Sequence, residues 1–168
     1  SKPDIVYNRD EQHETARKIA AEDMVLLKNR NNVLPITSSK YKKIAIIGEY
    51  AVSPLIAGQG SAMVYQRDEY TDSPIEELKK CLPEIEFKYL EVYKKRELPA
   101  DMLWPKCDAV TREISDCDLI VFFAGSMESE DTEAFDRQTA YLNQNIGLFV
   151  NAAKKLSKPM VLVLQNIS

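Results

Sequence analysis

One histidine, three cysteines and five glycines are all that this 168-residue chain holds of the residue types that build metal centres, disulfides and phosphate cradles. His13 is distant in sequence from Cys81, Cys107 and Cys117, and no C-x-x-C pair occurs, so neither a zinc site nor a disulfide framework is signalled. No metal is expected, and free thiols in a reducing compartment, the cytoplasm, are the expected state. No serine or cysteine stands with His13 and an acid in a triad pattern, so His13 is given no catalytic role. Positive charge is not in excess: 22 Lys and Arg stand against 26 Asp and Glu, a net charge of −4. Such a chain has no broad field for nucleic-acid phosphates or anionic lipid, and neither is an expected partner. No apolar run approaches the roughly 18 to 20 residues that cross a bilayer, and residues 1–10 are polar rather than a basic stretch leading into an apolar one. No membrane association or export signal is therefore expected from this stretch.

What is present is an alternation of two periodicities. Ala16, Ile19, Ala20 and Met24 recur at spacings of three and four, which predicts a helix over about 10–23. Val25-Leu26-Leu27 breaks that period and reads as a short buried extended segment. Lys43-Ile44-Ala45-Ile46-Ile47-Gly48 is apolar, β-branched and too short for a helix, the signature of a strand covered on both faces. Ser73-Pro74-Ile75-Glu76 has the order of a capping box and opens a helix to about Cys81. Residues 85–90 alternate as a half-buried strand, and 106–115 read as a helix. Residues 118–125 are a second buried strand, and 159–164 a third. Between these two strands Leu142, Ile146, Phe149, Ala153 and Leu156 mark one face of a long helix that starts near Arg137 or Gln138.

Fully apolar strands alternating with helices predict an α/β fold: a three-layer sandwich with a mostly parallel open sheet and helices on both faces. Residues 1–36 read as a linker helix and lead-in, and 37–168 as the sandwich. The last strand ends four residues before Ser168 with no further covering element, so the chain is expected to be a piece of a longer protein.

In such sheets ligands gather at the loops beyond the carboxyl ends of the strands. Two of these loops are unusual. The one after Gly48 reaches Gly58-Gln59-Gly60-Ser61, which by itself is either a plain glycine turn or a ligand cradle. It is not a dinucleotide fingerprint, because its glycines lie ten residues past the strand and no third stands in register. No cofactor is expected. The loop after Gly125 carries Glu128, Glu130, Asp131, Glu133 and Asp136. Such crowding fits a solvated acidic loop whose Asp136 sits near a helix amino terminus, or a general acid with a raised pKa. A calcium loop is disfavoured, because the glycine and spacing of an EF-hand are missing.

Six segments in order, His13 with Ala16-Arg17, Val25-Leu26-Leu27-Lys28-Asn29, Leu34-Pro35, Ile44-Ala45-Ile46-Ile47-Gly48, Gly58-Gln59-Gly60-Ser61-Ala62 and Glu133-Ala134-Phe135-Asp136-Arg137, resemble the carboxyl-terminal α/β sandwich domain of glycoside hydrolase family 3, the β-glucosidase family. Each motif alone is weak, and their common register gives the resemblance its weight. It implies an active site shared with a (β/α)8 barrel of the same parent chain. The barrel holds the aspartate nucleophile, and the sandwich brings the general acid/base. By that resemblance Glu133 is the acid/base, with Glu130 as the second candidate. Ser61 and Gly60 contact the innermost sugar of a β-linked glucoside or related saccharide, and Asp136 and Arg137 fix the loop. Ala134 and Gln59 each stand where the family usually has glycine.

The mechanism so implied is a retaining one, in which two carboxyl groups lie about 5 to 5.5 Å apart. A barrel needs about 250 residues, so the nucleophile is expected outside this chain and the fragment alone is expected to be inactive. The competing expectation is a flavodoxin-like or receiver-like module that binds Mg²⁺ in its acidic loop or phosphate at its glycine turn.

Overall fold

The structure, a computed structural model, describes residues 8–56, 60–62, 71–92, 100–126 and 144–166. The chain divides into two compact units, Ser1–Asn32 and Val33–Ser168.

In the first unit the helix α1 spans Arg9–Glu22. Asn8 caps it, its side-chain oxygen accepting from the Glu11 N–H at 3.3 Å. No side chain of α1 is buried, and Val25, Leu26 and Leu27 are solvent-exposed rather than buried as their hydropathy suggested. Hydropathy records what a residue would gain by burial and carries no information on whether a neighbour covers it.

The second unit holds a four-stranded parallel sheet built from β1 (Lys43–Ile47), β2 (Glu86–Leu90), β3 (Leu119–Gly125) and β4 (Met160–Gln165) in the order β2-β1-β3-β4. Ile46 of β1 lies between Tyr89 of β2 and Val121 of β3. Phe122 of β3 faces Leu162 of β4. The helices are α2 (Pro74–Cys81), α3 (Ala100–Glu113) and α4, described over Gln144–Lys154.

Strand alternation sorts the core into two layers, as period-two geometry requires. On one face Ala45, Ile47, Ile120, Phe122 and Ala124 pack with Cys107 and Ile114 of and beyond α3, and with Ile146, Phe149 and Ala153 of α4. On the other, Ile44, Ile46, Leu119, Val121 and Phe123 pack with Tyr41, Tyr50, Ile75 of α2 and Ile85. Val33 and Ile36 join this second layer. Helices therefore cover both faces, and the fold is the expected three-layer α/β sandwich. Phe122 and Phe149, each about 1% exposed, are the largest buried side chains, and burying each contributes about 2 to 3 kcal/mol. β4 is an edge strand with Leu162 and Leu164 exposed.

Two local expectations change. α3 begins at Ala100, six residues before the expected Lys106, and carries Pro105 within it. The fixed φ of proline is itself helical, and in this second turn only one N–H bond is forgone. Ser73 does stand at the cap of α2, but its hydroxyl donates to the Ala51 carbonyl at 3.3 Å instead of capping the helix. The first turns expected for α4, with Leu142, lie outside the described residues.

Candidate active site

Connections from β1 and β3 leave the sheet in opposite directions. β1 leads through α2, on one face, to β2 on one side; β3 leads through α4, on the other face, to β4 on the far side. The carboxyl ends of β1 and β3 therefore flank a topological switch point, where diverging loops leave a crevice. The two loops that follow these strands are the glycine turn and the acidic loop singled out from the sequence.

Several polar contacts fix the roots of both loops. The Gly48 N–H donates to the Leu90 carbonyl at 3.3 Å as the chain leaves β1. A short turn over Glu49–Ala51 then buries Tyr50 and Ala51. The Tyr50 hydroxyl donates to the carbonyl of Ser126, the first residue after β3. Ser126 is itself buried, and its Oγ donates to Asn166 Oδ1 at 3.5 Å. The Leu55 N–H donates to Gln165 Oε1 at 3.0 Å, holding the approach to the glycine turn against the end of β4. Gly125 sits where β3 and β4 close together: a Cβ there would lie 2.0 Å from the Gln165 carbonyl oxygen, so no other residue fits without moving backbone.

Gly60 and Ser61 open a single helical turn over Gly60–Ala62, and both are solvent-exposed. Gly60 has φ 81°, a left-handed conformation that glycine adopts without strain. The turn therefore presents Ser61 outward. Glu133, Glu130, Asp136 and Arg137 lie outside the described residues.

The electrostatics at this end of the sheet are acidic. Burial, with the charges of Glu91 and Glu49 adding to it, pushes the Tyr89 hydroxyl up to about 12. A carboxylate at Glu49, immediately after Gly48, opposes a phosphate at the mouth of β1. Among the described residues no group of three His, Cys, Asp or Glu side chains is arranged to hold a metal ion. Cys107 and Cys117 are buried, and burial raises both thiols above their ordinary values, which leaves them unreactive.

Of the two loops singled out from the sequence, the described residues include Gly60 and Ser61 of the first, while the acidic residues of the second lie outside them. The sequence reading missed Tyr50, Ser126, Gln165 and Asn166, which hold the roots. Their one local signal is a polar Gln165-Asn166 pair at the end of an apolar strand.

Residues 24–168 match the Glycosyl hydrolase family 3 C-terminal domain. The chain is 31% identical over 98% of its length to thermostable β-glucosidase B of Acetivibrio thermocellus, of which it covers 21%. It is 26% identical over 95% of its length to an exo-α-(1→6)-L-arabinopyranosidase of Bifidobacterium breve, again covering 21% of that protein. The crystal structure of a GH3 β-glucosidase from Bifidobacterium adolescentis superposes with a TM-score of 0.81 at 27% identity, over 98% of this chain and 23% of that one. The chain belongs to glycoside hydrolase family 3, as its carboxyl-terminal α/β sandwich domain. It spans about a fifth of the length of these relatives. Membership sets aside the flavodoxin-like or receiver-like module, although the strand order begins as in that fold.

Proposed function

We propose that this domain supplies the general acid/base and part of the sugar subsite of a retaining β-glycosidase, a β-glucosidase in the first instance. Glu133 protonates the departing glycosidic oxygen and then takes a proton from the water that hydrolyses the glycosyl-enzyme. Ser61 and Gly60 hold a hydroxyl of the innermost sugar, and Asp136 and Arg137 fix the acidic loop. Glu130 is the second candidate for the acid/base. A (β/α)8 barrel of the same parent chain supplies the nucleophile. Three free cysteines favour a reducing compartment, the cytoplasm.

The observation that carries this reading is the switch point. The stretch leading to Ser61 and the stretch leading to Glu133, seven residues beyond Ser126 in sequence, depart from the two strands that flank it. Half of a two-carboxylate site leaves a glycosyl bond intact, so the 168-residue chain alone will not hydrolyse a nitrophenyl β-glucoside. In the full-length enzyme, Glu133→Ala will slow turnover by about a hundredfold or more for poor leaving groups, and azide will restore the second step as a glycosyl azide. Turnover by the purified fragment, or a Glu133→Ala enzyme as fast as its parent, contradicts the reading.

A further inference from the structure

We propose that Tyr50 is a positioning residue for the acid/base loop, acting through the carbonyl of Ser126 at the loop's root. The proposal rests on the reading of Glu133 given above. Tyr50 is 2% exposed and Ser126 5%, so the bond between them is made away from water and joins residues 76 apart in sequence. It spans the switch point, from the turn that leads to Ser61 to the residue that opens the path to Glu133. The tyrosine ring packs in the layer around Ile44, Ile46 and Phe123, a task phenylalanine performs equally well. What phenylalanine cannot supply is the donor for that carbonyl.

A buried carbonyl that loses its donor shifts to find another, and this one begins the loop. On its other flank Ser126 is held by Asn166, whose neighbour Gln165 holds Leu55 on the approach to the glycine turn. The same few contacts thus set both loop roots against one another, and the stretch that holds Glu133 departs from Ser126.

The test is Tyr50→Phe in the full-length enzyme, assayed on aryl β-glucosides of differing leaving-group pKa with Glu133→Gln measured in parallel. A misplaced acid matters where the departing oxygen needs its proton. The kcat/KM for a poor leaving group, which reports the acid-assisted first step, is therefore expected to fall about tenfold, while that for dinitrophenolate, which departs without a proton, changes by less than about twofold. Equal losses on both substrates, or unchanged rates with a lowered melting temperature, overturn the proposal and leave Tyr50 as core packing. A leaving-group dependence in Glu133→Gln without one in Tyr50→Phe overturns this proposal alone; absence of dependence in Glu133→Gln overturns the acid/base reading and this proposal with it. Should Tyr50→Phe fail to fold, Tyr50→Met and Tyr50→Leu, which also remove the donor to the Ser126 carbonyl, must show the same dependence, and its absence from whichever of them folds is equally fatal.

Discussion

The two ends of the parallel sheet are built from different chemistry. At the amino ends of the strands, charges meet charges and backbone. Lys43 Nζ lies 2.8 Å from both Glu86 and Asp116, and Asp118 accepts the N–H groups of Lys42 and Lys43 at 2.8 and 2.9 Å. Lys158 adds a bond to the Cys117 carbonyl. At the carboxyl ends a phenol, a serine hydroxyl and two amides hold the loop roots, two of their three bonds made to backbone groups. Partnered charges at one edge tie strand to strand. At the other edge that phenol, hydroxyl and pair of amides fix the loop roots. In sheets of this kind ligands gather beyond the carboxyl ends, so the charge-tied end lies opposite the candidate site.

The sharpest way to break this comparison is Gly125→Ala. The added methyl meets backbone rather than a yielding side chain, so β3 and β4 must separate at the candidate site, at a cost of about 3 kcal/mol measured by denaturant unfolding. An unchanged midpoint would mean that the carboxyl edge is loosely built.

A smaller effect is expected at the amino edge. Two backbone N–H bonds hold the Asp118 carboxyl below its ordinary value, and the Lys43 ammonium does the same for Asp116. The unfolded chain therefore binds protons at a higher pH than the native one, and stability rises with pH across that window. The contribution is whole above the ordinary carboxylate value of 3.8 and is lost as pH falls below it through the depressed native values. Asp118→Asn should lower stability near pH 7 and flatten its decline in acid. A variant with the parent's acid limb would show that the N–H bonds of Lys42 and Lys43 do not hold this edge.

Smallest is the expected effect of Tyr89→Phe, which acts only in alkali. A native hydroxyl at about 12 against an ordinary 10.0 stays protonated while the unfolded chain ionises, so stability present below pH 10 is lost between 10 and 12. Removing the hydroxyl should flatten that limb without altering the midpoint at neutral pH. An unchanged alkaline limb would contradict a half-buried, acid-flanked phenol.

The strands were legible because both faces of a parallel sheet are buried, which writes a continuous apolar run at Ile44 to Ile47 and again at Leu119 to Ala124. Pro105 hid the first turn of α3, since proline stops a helix more often than it sits inside one. Val25 to Leu27 looked buried because the sequence shows hydropathy and not coverage. The contact from Tyr50 to Ser126 had no signature, because residues 76 apart share no local pattern. As for the site, the departure of the two stretches from β1 and β3 follows from strand order, and the exposed turn at Ser61 from its glycine. Glu133 was singled out among five nearby acids by the motif it shares with the family, and the spacing of those acids alone does not distinguish it.

The account stands most directly on the crystal structure of the full-length enzyme with glucose or a glucose analogue in its innermost subsite. It predicts the Glu133 carboxyl about 5 to 5.5 Å from a barrel aspartate across the anomeric carbon, with Ser61 on a sugar hydroxyl. A Glu133 side chain turned into its own sandwich and paired there with an arginine or lysine would contradict it.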